Sequence, residues 1–314
     1  MPGTGAQGFL GVAIETTSGT YVAPTKFVPI ESESLKYVQE TDWRRPIRAS
    51  ADIVGAVDGN VHVEGDISME AFEDVVAMML RAGRNTYTKT GTTPNFTYDI
   101  VGNANAVPNK TLSITVVRNG ITFGYTGCVI PSFTFTIDNG KLKFNPTILG
   151  RDEATQTLPT ATWTTGTQAT PFGAGKYQIQ IPTASQVFDA DGFEFSVDDS
   201  GEPQYRLKDT SRGAQFISFG ERSVTMSIER DFEDRTDYDA FKALTAQSIT
   251  LTATKGANNS ISLIVPAAIK DTYEVGLGGQ GDLTRAQVNY NGVLDATGNA
   301  YKITVKTQED LVVP

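Results

Sequence analysis

The chain has 314 residues, 39% hydrophobic and 20% charged, with a formal net charge of −10 and a mean hydropathy of −0.21. That balance is too apolar for a disordered chain and too polar for a helical membrane protein, and it lacks the basic footprint of a sequence-reading nucleic-acid binder. Forty threonines, 30 glycines and 14 prolines favour strands and turns over helices, in roughly two domains or one large β domain.

From the N-terminus, MPGTGAQGFL has neither the basic nor the apolar region of a secretory leader, so synthesis in a cytoplasm is the expectation. Gly3–Gly8 matches G-x-G-x-x-G, but no strand precedes it, and an arm is the better reading than a dinucleotide site. Phe27–Val38 reads as a strand, followed by a long polar excursion over Thr41–Asn60. Then comes the cleanest alternation in the chain. Val61, Val63, Ile67 and Met69 point one way, and His62, Glu64, Asp66 and Ser68 the other. Phe72, Val75, Val76, Met79 and Leu80 form the apolar stripe of a short helix that Gly83 is placed to end. Leu112, Ile114 and Val116 alternate with Ser113 and Thr115. Cys128, within Gly127–Ile130, reads as a small core residue. Phe133, Phe135 and Ile137 alternate with Thr134 and Thr136, and Asp138-Asn139-Gly140 makes a hairpin turn into Leu142 and Phe144.

Ala154–Gly175 carries eight threonines and no charge, the composition of an extended linker. Beyond it the same order of elements recurs. Gln178–Val197 reads as a strand and Asp198–Gly220 as a second long excursion. Val224, Met226 and Ile228 alternate with Ser223, Thr225, Ser227 and Glu229. Glu229–Asp239 holds six acids and two arginines. Its spacing is not that of a calcium loop, and the preferred reading has Thr236 capping a short helix with acids in its first turn. Tyr238, Phe241 and Leu244 give that helix a thin apolar stripe. Strands follow at Ile249–Thr252, Ile261–Val265, Tyr273–Val275 and Leu283–Leu294. A second G-x-G-x-x-G at Gly276–Gly281 precedes an alternating strand rather than a helix, and so reads as a hairpin loop.

The repeated order implies a mainly β chain of two tandem sandwich domains, each with a flanking helix. The boundaries are an arm over residues 1–25, a first domain over 26–153, a linker over 154–175 and a second domain over 176–314. His62 and Cys128 are the only residues of their types, which excludes a His/Cys zinc site and an intrachain disulfide. A Ser-His-Asp triad would have to use His62, which sits in a strand. No enzymatic activity, cofactor or metal is expected, although 36 acids leave a glycosidase-type carboxylate pair open.

Gly8–Thr17 (GFLGVAIETT) with Gly19–Pro24 (GTYVAP), Val61–Glu70 running into its helix, and the block Thr111–Asp152 resemble siphophage tail tube proteins, the major tail proteins of long non-contractile tails. The resemblance covers nearly the whole chain. It implies a β-sandwich with a helix, assembled into stacked rings whose inner sheets join into one wide β-barrel around a channel for the genome. Related rings hold six single-domain subunits or three duplicated ones, and the doubling here favours three. The implied partners are further copies of the chain, the tape measure protein, the tail terminator and distal tail proteins, and passing DNA contacted without sequence preference, with no membrane insertion. The implied location is the virion tail, assembled in the bacterial cytoplasm.

A wall of hydroxyls and carboxylates would let duplex DNA slide without the counterion release that binds it to cations. The faces His62/Glu64/Asp66/Ser68 and Ser223/Thr225/Ser227/Glu229 are the candidates for that wall, and ordinary outer-surface solvation is the competing reading. Trp43, Arg44 and Arg45 in the first excursion, with Arg206 and Arg212 in the second, are candidate ring-to-ring contacts, because aromatic and arginine side chains are enriched at interface hot spots. The N-terminal residues 1–20 and C-terminal residues 307–314 are further candidates to reach neighbouring subunits. Two alternatives stay open at this point. One is a carbohydrate-binding or receptor-binding β-sandwich of a phage tail, and the other is the tube of a contractile or secretion device.

Overall fold

The computed structural model describes residues 5, 8–47, 51–103, 105–108, 110–163, 169–181, 186–187, 190–207, 212–232, 235–277 and 279–311. The first half holds β1 (Phe9–Ile14), β2 (Lys26–Val28), β3 (Ser32–Glu33), β4 (Lys36–Arg44), β5 (Gly55–Glu70), helix α1 (Glu73–Met79), β6 (Asn85–Thr92), β7 (Asn95–Gly102), β8 (Leu112–Arg118), β9 (Ile121–Asp138), β10 (Lys141–Gly150) and β11 (Asp152–Thr155). The second holds β12 (Tyr177–Gln180), β13 (Gln186–Val187), β14 (Ala190–Asp198), β15 (Gly201–Gln204), β16 (Phe216–Phe219), β17 (Ser223–Asp231), helix α2 (Thr236–Lys242), β18 (Gln247–Gly256), β19 (Asn259–Gly276), β20 (Arg285–Gly292) and β21 (Lys302–Thr307). The chain is mainly β, as its composition and alternation require.

The described strands pair in antiparallel ladders. A central run has the order β4-β5-β10-β9-β14-β17-β20-β19, its first four strands from the first half and its last four from the second. Two further runs adjoin it. One is β2-β1-β8-β9-β11, and the other is β13-β12-β18-β19-β21-β7-β6. The strands β9 and β19 are 18 residues each, and each serves two runs with its two ends. In β9 the change of partner falls beside Gly127, whose φ of +62° suits a residue without a side chain. Asn119-Gly120 and Asn139-Gly140 both take left-handed φ values and close tight hairpins.

Period-2 alternation gives the central run one apolar face. Phe133, Phe135, Phe144, Phe195 and Tyr301 pack on it in a single aromatic cluster, with Phe135 and Phe144 at a centroid separation of 4.8 Å. The core that contains them is continuous through both halves. Helix α1 is wholly buried, and a 3-10 turn over Leu80–Ala82 carries the chain to Gly83, where the sequence places its end. The helix brings buried charge with it. Glu73 lies 2.6 Å from Lys255 of β18, and Asp74 pairs with Lys26, which also meets Glu309.

Several expectations are corrected. The strand expected over Phe27–Val38 is broken into β2, β3 and the start of β4, and the one expected over Gln178–Val197 into β12, β13 and β14. The excursion Thr41–Asn60 is not a loop throughout, since Thr41–Arg44 belongs to β4 and Gly55–Asn60 to β5. Its two ends continue β4 and β5 as one long hairpin paired out to Arg44 opposite Gly55. Both faces of that extension are exposed, so its strands carry no apolar alternation for a sequence reading to detect. The second excursion likewise contains the hairpin β15–β16. Within the arm expected over residues 1–25, Phe9–Ile14 forms β1, a largely buried strand between β2 and β8. Within the linker, Thr155 ends β11 and Phe172 is fully buried. Thr236 is the first residue of α2 and not its cap, a position Arg235 holds without a side-chain hydrogen bond. Tyr238 and Phe241 pack on Tyr273, whereas Leu244 lies past the helix end and is exposed.

Phe135→Ala should lower stability by about 3–5 kcal/mol through the cavity it leaves, and Thr134→Ala, on the opposite face, by under about 1 kcal/mol, as read from chemical denaturation. A second outcome concerns alkaline pH. Burial alone would lower the Lys26 ammonium, but Asp74 and Glu309 outweigh it and hold the group above its ordinary value of 10.5. A lysine raised by folding stabilises below its unfolded value, and the contribution fades as pH climbs through the folded one. Lys26→Met should therefore be less stable than the wild type at pH 8, where Asp74 stays buried without its cation, and the gap between their denaturation midpoints should narrow above pH 10.5.

Candidate functional site

Residues directly opposite in an antiparallel ladder share a face, so polar rows can be followed across the central run. One row is Asp66–Thr147–Ser132–Asp198–Ser223, and the next is Asn145–Thr134–Ser196–Thr225–Asn291. A third is Glu70–Lys143–Thr136–Glu194–Ser227–Asn289–Thr272. Glu229 lies opposite Gln287, and Gln287 opposite Glu274. The alternating polar residues of β5 (His62, Glu64, Asp66, Ser68) and of β17 (Ser223, Thr225, Ser227, Glu229) thus lie on one face of one sheet. Reading each strand separately missed Ser132, Thr134, Ser196, Asn289 and Asn291, which the register places between and beside them. Their own alternation was the available signal.

The charges on this face follow one pattern. Lys36, Lys141, Lys143 and Arg285 stand against Glu64, Asp66, Glu70, Asp138, Glu194, Asp198, Glu229, Asp231 and Glu274, so acids outnumber bases. Each of the four bases touches a carboxylate. Lys36 is 3.0 Å from Glu64, Lys141 pairs with Glu70, and Lys143 is 2.7 Å from Asp138 and 3.0 Å from Glu31. Arg285 meets Glu229 at 3.2 Å, Asp231 at 3.9 Å and Asp191. The contacts hold the charges in place. The Lys36 ammonium keeps the Glu64 carboxyl below its usual range, Asp138 raises Lys143, and Glu229 raises Arg285.

His62 is more enclosed than Glu64 or Glu229. Its Nδ1 lies 2.8 Å from the Tyr205 hydroxyl and its Nε2 3.4 Å from Glu64 Oε2. Tyr205 follows β15, whose hairpin folds over this end of the face. Val129, Ala214 and Ile217 form a small apolar cluster there with Leu149, Tyr205 and Phe219. The Val61 amide donates to the Arg212 carbonyl, and the Ala214 amide donates to the Val61 carbonyl. The candidate contact residues divide in two. Trp43, Arg44 and Arg45 are exposed on and just past the end of β4. Arg206 stacks over Phe216, and Arg212 lies 3.4 Å from Asp58.

Chemistry of other kinds is thin. Among the described residues no group of three or more His, Cys, Asp or Glu side chains is placed to hold a metal. Burial pushes the Cys128 thiol well above its ordinary value, so it is no nucleophile at neutral pH. The acidic segment's Asp237 is spent on structure, accepting from the buried Lys270 at 2.9 Å and pairing with Arg230. One buried carboxylate escaped the sequence reading. Glu15 accepts hydrogen bonds from Thr111 and Ser113 side chains and from the Gly19 and Gly127 amides, which pins β1 against the bend of β9.

The central run is a long two-faced sheet, polar on one side, in which among the described residues β4 pairs only with β5 and the last third of β19 only with β20, and the chain is of the mainly β class. The family model described as phage tail tube protein matches residues 5–295, and the chain belongs to that family. A search of curated proteins gave no match. The resemblance read from Gly8–Thr17, Val61–Glu70 and Thr111–Asp152 agrees with the family match, which makes the chain a component of a phage tail. Among the described residues no helix is long and apolar enough to cross a membrane.

Proposed function

We propose that copies of this chain polymerise into stacked rings of three, with pseudo-six-fold symmetry, and that the stack is the conduit through which DNA leaves a long non-contractile tail. The observation that carries the reading is the central run of two four-strand halves, polar on one face and, among the described residues, unpaired along both outer edges. Three such runs bring about 24 strands together, wide enough to enclose a water-filled channel rather than a packed core. The polar face lines the channel. Its acids outnumber its bases, and its bases are already neutralised, so duplex DNA meets hydroxyls, amides and a weak repulsion instead of a binding surface. The two units of residues 26–153 and 176–314 supply the pseudo-symmetric halves. The exposed Trp43, Arg44 and Arg45, with Arg206 and Arg212 of the second hairpin, make the ring-to-ring contacts. The ends of the stack meet the tape measure protein and the tail terminator and distal tail proteins, and assembly takes place in the host cytoplasm.

Electron microscopy of concentrated purified protein should show hollow rings or tubes, and a uniform population of solid single chains would reject the reading. Asp66→Lys with Glu194→Lys, both exposed on the polar face, should leave tube length unchanged and slow genome ejection at least about tenfold; ejection at the wild-type rate would count against the channel-lining assignment. Trp43→Ala should fold normally and raise the protein concentration needed for tube elongation about tenfold, in line with removal of a hot-spot aromatic.

A further inference from the structure

The seam between the two halves is a template for a contact between two copies. Resting on the ring reading above, we propose that β4 of one copy pairs antiparallel with the last third of β19 of the next in one register. Val38 lies opposite Thr272, Tyr37 opposite Tyr273 and Lys36 opposite Glu274, and Lys36 and Glu274 form an ion pair across the subunit boundary.

The register follows from aligning the halves on their own ladders. Gly150 lies opposite Val63, and an added Cβ on it would meet the Val63 Cβ at 3.1 Å. Gly292 has the same relation to Val224, again at 3.1 Å. Matching these glycines superposes β10 on β20 and β5 on β17. The strands beyond them confirm the match. Both long strands have a register shift at the same place, between the partners of Thr147 and Leu149 in β9 and at Lys270/Thr272 in β19. Ser132, Phe133 and Thr134 then correspond to Thr272, Tyr273 and Glu274. On the other side, Tyr37 opposite Val63 corresponds to Val197 opposite Val224. Within the chain, Asp198 pairs with Ser132, Val197 with Phe133 and Ser196 with Thr134. Carrying that pairing to the equivalent residues gives the register stated.

Side-chain chemistry at the two edges fits it. At the internal seam Thr134 Oγ1 donates to Ser196 Oγ at 3.2 Å, and the equivalent positions hold opposite charges, Glu274 and Lys36, both exposed. Lys36, already 3.0 Å from Glu64, would stand between two carboxylates, as Arg285 does among its three. On the apolar face Val197 and Phe133 are 0% and 3% exposed. Their counterparts Tyr37 and Tyr273 are only half-buried, and pairing would finish covering them. Among the described residues neither β4 nor the last third of β19 has a second strand partner, an arrangement that soluble single chains avoid.

The test uses the full chain carrying Lys36→Cys and Glu274→Cys together, whose only other cysteine is the buried Cys128. Oxidation of assembled protein should give a covalent three-chain species on a non-reducing gel. The offset pair Lys36→Cys with Gly276→Cys, one step along the same face, should give less than about a tenth as much. Lys36→Glu and Glu274→Lys should each raise the concentration needed for ring formation about tenfold, and the double exchange should restore it to within about threefold. Rings seen by microscopy with equal or stronger offset cross-linking, or charge exchanges without mutual rescue, overturn this register while leaving the conduit reading intact. Wild-type protein that forms no rings removes both.

Discussion

The pairing of β9 with β14 is the constraint on which the rest depends. Side chains in a strand change face at every residue, so two sheets joined edge to edge keep a common polar side only if the join is in phase. Here Phe135 meets Phe195 and Phe133 meets Val197 across the seam, while Thr136, Thr134 and Ser132 meet Glu194, Ser196 and Asp198. A slip of one residue would turn Phe195 and Val197 into water and drive Glu194 into the aromatic cluster. The aromatic contacts on the dry side therefore fix what the wet side can be.

The two sides treat charge differently. On the polar face ion pairs are exposed, and their effect is to cancel cations, since pairs in water add little to stability. Behind the sheet the pairs are buried and tie one element to another. Arg222 holds Asp199 through two nitrogens, at 2.6 and 2.9 Å. Lys255 holds Glu73 from the opposite half of the chain at 2.6 Å, yet burial raises the Glu73 carboxyl by more than Lys255 and Asn259 lower it. Removing one partner of such a pair strands the other without water, which costs more than the intact pair gains.

Strands with one dry face were legible in the sequence, because burial writes a period of two into the residues; β5, β9, β10 and β17 are of this kind. The hairpin extension past Gln39 has water on both sides and leaves no such mark. The strand β1 was hidden for the opposite reason: Leu10–Ile14 is buried throughout, and a continuous short apolar run carries no period. The polar phase of β5 and that of β17 could each be read, but their common face could not, since it depends on four ladders in succession, β5 to β10, β10 to β9, β9 to β14 and β14 to β17. Separation along the chain also hid Lys255 from Glu73, Glu309 from Lys26 and Arg84 from Asp199.

The long strands β9 and β19 pass from the central run into neighbouring runs without a break in the chain. A load that stretches the central run is therefore handed to its neighbours through covalent backbone as well as through side-chain contacts. In a vessel wall this is the difference between plies that are glued and plies woven from the same thread: hoop tension from pressurised contents cannot peel one layer off the next without unravelling a strand.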